Sequence, residues 1–270
     1  MAKARGSQES IGSLQGKRVA IVSGEDEYRS EESLASVAEE LRSRYGAEVA
    51  LLTCQPDPRA ADHLPGLSEL EQADLMIVYL RFRRLPEEQF RYIRAYLERG
   101  GPVIAFRTST HAFDYPEGHP LREWNRKFGI DVLGAPWIRH FGHSSITDVN
   151  ADRNSLDHPV LRGVPQRFVA RSWLYDVFPY PEAAGEAEVL MNGYAVHPEH
   201  GTADHHTLRI HPVVWTRKHY GGGRTMTTTL GHPEDFELQA FRQIISNGVH
   251  WALDIETPDE FGENGRTERC

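Results

Sequence analysis

A threonine-rich run, Arg224 to Leu230, stops at Gly231, and His232, Pro233 and Glu234 follow at once. The run reads as a strand and the segment after it as the start of a helix. In an α/β sheet the ligand crevice opens just past the C-terminal ends of the strands. An imidazole there, with a carboxylate close by, is placed for proton transfer. His232 is therefore the first candidate catalytic residue, with Glu234 as its partner. The plain alternative is that Asp235 caps the helix and His232 is a polar turn residue.

A second strand end carries Arg107, after the apolar run Pro102 to Phe106. A guanidinium can hold a carboxylate or several sugar hydroxyls in its planar fork. It can equally form an ion pair with Glu25, Asp26 or Glu27, which follow the first strand. Glu25 is also a candidate substrate contact, and any of the three acids can instead favour the N-terminus of the next helix. Thr108, Ser109 and Thr110 offer hydroxyls to a ligand, with Thr108 the candidate contact, or cap the following turn. A Ser109 nucleophile served by His232 is a further alternative.

His111 closes this segment and is a third catalytic candidate. His140 and His143 follow in His140-Phe-Gly-His143, and Trp137 stands just before them. These three are candidate substrate contacts. Three imidazoles with one open position would describe a catalytic zinc site, so a divalent metal is an open alternative. With 14 histidines in the chain, some proximity arises by chance. His197, His200, His205 and His206 read as surface residues. Trp124, Trp137, Trp173 and Tyr175 can stack on sugar rings or fill the core.

The elements that position these groups alternate between strand and helix. Lys17 to Ser23, Glu48 to Thr53, Asp74 to Leu80 and Pro102 to Phe106 are short apolar runs suited to buried parallel strands. Between them, Leu34, Val37, Ala38 and Leu41 share one helical face, as do Phe90, Ile93, Tyr96 and Leu97. Ser30 is the expected N-cap of the first helix, Gly46 its C-terminal stop, and Pro86 the start of the second. Glu188 to Asn192, Val213 to Arg217 and Arg224 to Leu230 are further strands, and Phe236 to Leu253 is a closing helix. Tyr115 to Trp173 reads as an irregular, site-building insertion. The pattern predicts an α/β fold with a doubly wound, mostly parallel sheet. The expected organisation is a disordered leader over 1–16, one domain over 17–255 and a flexible tail over 256–270.

The chain has 270 residues, a formal net charge of −9 and two cysteines, Cys54 and Cys270. The negative charge, with arginines spread among acids, argues against a nucleic-acid groove. Two cysteines make no disulfide framework. The leader has no apolar stretch of the kind a signal peptide needs, and no run approaches a membrane span. A soluble cytoplasmic protein acting on a small molecule is expected, with a homo-oligomer left open.

Four stretches together resemble the ThuA-like (trehalose-utilisation) family: Val22-Ser-Gly-Glu-Asp-Glu-Tyr, Ala73-Asp-Leu-Met-Ile-Val-Tyr, Gly101-Pro-Val-Ile-Ala-Phe-Arg-Thr-Ser-Thr-His-Ala-Phe, and Thr229-Leu-Gly-His through Trp251. The resemblance implies a flavodoxin-like fold similar to class I glutamine amidotransferases, a site at the strand ends and a link to sugar metabolism. Those amidotransferases place a cysteine on a sharp turn after a strand and a His-x-Glu pair after a later strand. His232-Pro233-Glu234 matches the pair, but Arg107 stands where the thiol would be. Thioester chemistry on glutamine is therefore not expected. The expectation is an enzyme that isomerises or hydrolyses a sugar or keto-sugar derivative by acid–base chemistry. A non-catalytic carbohydrate-binding or regulatory protein is one alternative, and a metal-dependent hydrolase another.

Overall fold

The structure is a computed structural model that describes residues 13–141, 145–178, 187–196 and 210–258. Four early strands form as the apolar runs predict: β1 (Arg18–Gly24), β2 (Glu48–Thr53), β3 (Leu75–Leu80) and β4 (Val103–Phe106). Their residues alternate between two cores. Val19, Ile21, Leu75, Ile77, Ile104 and Phe106 face one, packed with Leu34, Val37 and Leu41 of α1 (Ser30–Ser43) and Phe241, Ile244 and Val249 of α4 (Gln239–Ala252). Ala20, Val22, Met76, Val78, Val103 and Ala105 face the other, with Phe90, Ile93 and Leu97 of α2 (Glu87–Glu98) and Trp124 of the one-turn helix α3 (Trp124–Lys127). Strands buried on both faces carry apolar residues at every position, which is why these runs are continuous rather than alternating.

The later strands are β5 (Trp137–His140), β6 (Ile146–Ala151), β7 (Arg167–Ala170), β8 (Tyr175–Val177), β9 (Glu188–Val196), β10 (His211–Lys218) and β11 (Arg224–Thr228). Nine strands make one sheet in the order β2-β1-β3-β4-β11-β10-β9-β6-β7, and β5 pairs with β8 separately. From β2 to β11 the pairings are parallel. From β11 to β7 they are antiparallel. The sheet is thus mixed, an α/β architecture with an antiparallel extension that the strand pattern did not predict. Two further expectations are corrected. The stretch from Tyr115 to Trp173 is no irregular insertion: it supplies β5, β6 and β7. Ser30 does not cap α1 but is its first residue, and its N–H donates to Glu25 Oε1 at 2.8 Å.

Packing reaches beyond both expected domain bounds. Leu14 is fully buried, Ser13 Oγ lies 2.9 Å from His250 Nε2, and Arg162 Nη1 donates to the Thr257 carbonyl at 2.8 Å. Among the described residues no helix is long and apolar enough to cross a membrane.

Candidate functional site

The C-terminal ends of β1, β3, β4 and β11 lie side by side in the sheet, and each delivers polar or aromatic groups to the same edge. After β1, Glu25 is fully buried. Its Oε2 accepts the N–H of Glu27 at 2.8 Å and of Tyr28 at 2.7 Å, while Oε1 takes Ser30. Burial raises its pKa against those three bonds. Glu25, expected as a substrate contact, instead shapes the loop that places Tyr28.

Arg107 opens the short turn after β4 with φ 38°, a left-handed conformation that costs a non-glycine residue roughly 1–2 kcal/mol. The side chain is fully buried. Its Nη1 donates to the carbonyls of Thr229 at 2.9 Å and Trp173 at 3.1 Å, and Nη2 donates to the Tyr28 hydroxyl at 3.1 Å. Its Cζ lies 4.6 Å from the Tyr28 ring centroid and 4.4 Å from that of Tyr175. Burial alone would disfavour its charge, but Tyr175, Tyr28 and Tyr79 around it hold its pKa above the ordinary value. Neither expected role survives unchanged. The fork is turned onto protein acceptors, and no ion pair to Glu25, Asp26 or Glu27 forms. Arg81, at the end of β3, takes Asp26 at 3.2 Å and Glu27 at 3.1 Å instead.

The hydroxyl residues after Arg107 are all buried. Ser109 Oγ donates to the Val78 carbonyl at 3.0 Å and accepts the Leu80 N–H at 3.1 Å, so it stitches the turn to β3. That commitment removes it as a nucleophile. Thr110 Oγ1 donates back to the Arg107 carbonyl at 2.9 Å. Thr108 Oγ1 is buried with no hydrogen-bond partner.

His111 ends the turn, partly exposed, with its ring 4.6 Å from Trp137, 5.0 Å from Phe82 and 6.1 Å from Tyr175. Burial, then the charges of Arg81 and Arg107, push its pKa down to about 3. His140 stacks on Trp173 at 5.3 Å. His143 lies outside the described residues, as do His197, His200, His205 and His206. Among the described residues no three histidines, cysteines or carboxylates gather in a way that could hold a metal ion.

His232 follows β11 and is one-quarter exposed. Its Nδ1 accepts the Glu234 N–H at 3.3 Å, which leaves the proton of the neutral ring on Nε2. Glu234 Oε1 is 3.9 Å from Nδ1, and the carboxylate is largely exposed. The expected His232–Glu234 side-chain hydrogen bond is therefore not made, because the backbone of Glu234 occupies that nitrogen. Burial lowers the His232 pKa, against the opposing pull of Asp235. The carboxylate that organises this turn is Asp235. Its Oδ2 accepts the N–H groups of Gly231 at 3.0 Å and His232 at 3.1 Å and the Ser172 hydroxyl. Its Oδ1 accepts the Arg171 N–H at 2.7 Å and the Ser172 N–H at 3.3 Å.

These groups close into a ring of contacts. Tyr28 touches Arg107, Arg107 touches Tyr175, and Tyr175 leads through His111 and Phe82 to Arg81. Arg81 pairs with Glu27, which accepts the Tyr28 hydroxyl at 3.2 Å. His232 sits edge-on to Tyr28 at 6.1 Å. Tyr28, Phe82, Arg81 and Asp235 were not singled out from the sequence as site residues. The strand-end rule that selected Arg107 and His232 would have reached the first three, which directly follow β1 and β3.

The sequence model of the ThuA family, described as trehalose utilisation, matches residues 18–252. The chain belongs to the ThuA family. Among solved structures it is similar to a ThuA-like protein from Bacteroides uniformis, with 17% identity, a TM-score of 0.63 and coverage of 93% of this chain and 94% of that one. It is also similar to a ThuA-like protein from Parabacteroides merdae, with 16% identity, a TM-score of 0.60 and coverage of 90% and 92%. At such identities the likeness is one of fold, not of site chemistry. No curated protein matches the chain.

Two predictions arise from this geometry. Gly231 has φ 147°, and a Cβ there would stand 2.9 Å from the Tyr79 hydroxyl and 3.3 Å from Arg107 Cβ. Tyr79 donates to the Gly231 carbonyl at 2.9 Å, so it has little freedom to retreat. Gly231→Ala should lower unfolding free energy by about 1–3 kcal/mol in urea titration; an unchanged midpoint would mean that the strand end yields. The second concerns acid. His111, His158, His219, His232 and His250 all have pKa values lowered by burial. Each is neutral when folded and takes a proton more readily once unfolded. Their contribution is level above about pH 6.5 and turns against the fold as pH falls below it. The denaturation midpoint should be lower at pH 5.5 than at 7.5, and His111→Gln should reduce the difference.

Proposed function

We propose that this ThuA-family chain is an enzyme that transfers a proton on a sugar or keto-sugar derivative, by isomerisation or hydrolysis. The finer fold assignment belongs to the same reading: the parallel order β2-β1-β3-β4-β11, covered by helices on both faces, is the flavodoxin-like half of the sheet, with the ligand face at its strand ends. The observation that carries the proposal is the pair of imidazoles with lowered pKa values, His111 and His232, at the ends of neighbouring strands on either side of one buried cation. A neutral imidazole with its proton on Nε2 can polarise a carbonyl oxygen, and His232, one-quarter exposed, is the one offered to a substrate. Aromatic faces at Trp137 and Trp173, both partly exposed, suit sugar rings, and the absence of a thiol at Arg107 leaves no amidotransferase nucleophile there.

The test is proton exchange. In deuterium oxide, the protein incubated with oxidised sugars should wash deuterium into the carbon next to the carbonyl, seen by proton NMR. A second reading, a carbohydrate-binding module without chemistry, draws on the Arg107 fork being spent on protein acceptors. Binding of an oxidised sugar with neither exchange nor turnover would put that reading first.

A further inference from the structure

The polar atoms left over in this site are donors. Arg107 Nε and Trp137 Nε1 are both buried without a hydrogen-bond acceptor, and the hydroxyl of Thr108, next to Arg107 in sequence, is unpaired. The Trp137 ring lies against His111 and 6.2 Å from Tyr175, whose ring packs on the Arg107 guanidinium. Among the described ion pairs none includes Arg107. The acids close to it are committed elsewhere: Glu25 to three backbone N–H groups, Asp26 and Glu27 to Arg81. Buried donors without acceptors and a buried cation without a counter-charge are both costly. The His111 pKa, lowered first by burial, is lowered further by the charges of Arg81 and Arg107.

We propose that the ligand of this site is an anion, a sugar acid or similar carboxylate-bearing polyol, seated against Trp137 and His111, with Arg107, behind the buried Tyr175 ring, as its counter-charge. The proposal rests on the strand-end face being the binding site, and it narrows the substrate class from sugars in general to acidic ones. Nothing need touch the guanidinium directly. In a low-dielectric setting its charge acts through the two tyrosines that enclose it.

The experiment is a titration of the full chain with D-glucuronate and D-gluconate against D-glucose, following the Trp137 indole N–H and the His111 ring by NMR. A sugar acid should bind at least about tenfold more tightly than glucose at low salt, the scale of one charged hydrogen bond. Added salt should weaken that preference. Trp137→Phe keeps an aromatic face but deletes the donor with the pyrrole half of the indole, so it should cost the acid roughly three- to tenfold more than it costs glucose. Arg107→Gln, if folded by circular dichroism, should abolish the preference. Equal binding of acid and neutral sugar, binding of neither, or a preference untouched by Trp137→Phe would overturn the proposal. The outcome is separable from the catalytic reading. Acid-selective binding without proton exchange leaves this inference standing and removes the enzyme, whereas turnover of a neutral keto sugar without charge preference does the reverse.

Discussion

His232→Ala should, under the proposed proton transfer, turn over an oxidised sugar roughly 10²–10⁴-fold more slowly than the parent chain, the range of a general acid–base residue. The imidazole stands at the end of β11, partly exposed, with Nδ1 bonded to the Glu234 N–H and Nε2 left for a ligand. Alanine also removes the acceptor that caps this turn, at about 0.5–2 kcal/mol. His232→Asn separates the two effects. Its side-chain oxygen can still accept the Glu234 N–H, so stability should return while turnover stays low. His111→Ala should cost less, because a ring held near pKa 3 is a poor base at neutral pH. Full turnover in His232→Asn would remove proton transfer by this residue and favour the binding module.

The largest stability effect is expected at Asp235. It is fully buried, and its two oxygens gather four backbone N–H groups and the Ser172 hydroxyl. Asp235→Ala strands all of these donors without water. The loss should be about 3–5 kcal/mol, less than the sum of separate bonds because the donors share one network. Asp235→Asn should recover less than half, since its amide would point a donor at the N–H groups of Gly231 and His232. Urea denaturation measures both. A loss below about 1 kcal/mol in the alanine variant would mean that the turn is held by other contacts.

The parallel half of the sheet was legible in the sequence because strands buried on both faces leave continuous apolar runs with glycine stops. The antiparallel extension was less so. In β6, Ile146-Thr-Asp-Val-Asn-Ala mixes polar and apolar residues, and β7 is a four-residue edge strand with two exposed positions, so neither carries a strong period. At the site, the positions of Arg107 and His232 followed from the strand ends alone. Their partners did not. Whether Glu234 or Asp235 meets the turn depends on backbone angles that place one carboxylate inward and its neighbour in solvent. The Arg107 fork lies among carbonyls from Trp173 and Thr229, acceptors that no side-chain pattern announces.

The parallel pairing of β4 with β11 brings together segments far apart along the chain; Arg107 and the Thr229 carbonyl it binds are 122 residues apart. Closing so long a loop is entropically slow, and such non-local pairings set the pace of folding. The elbow and the histidine turn therefore meet only when this late step completes. A chain stalled before it would have its early strands and first helices but not the strand-end face proposed to take the ligand. Ligand binding to newly made chains would then count finished molecules rather than compact ones, which makes it a sharper clock for maturation than any measure of secondary structure.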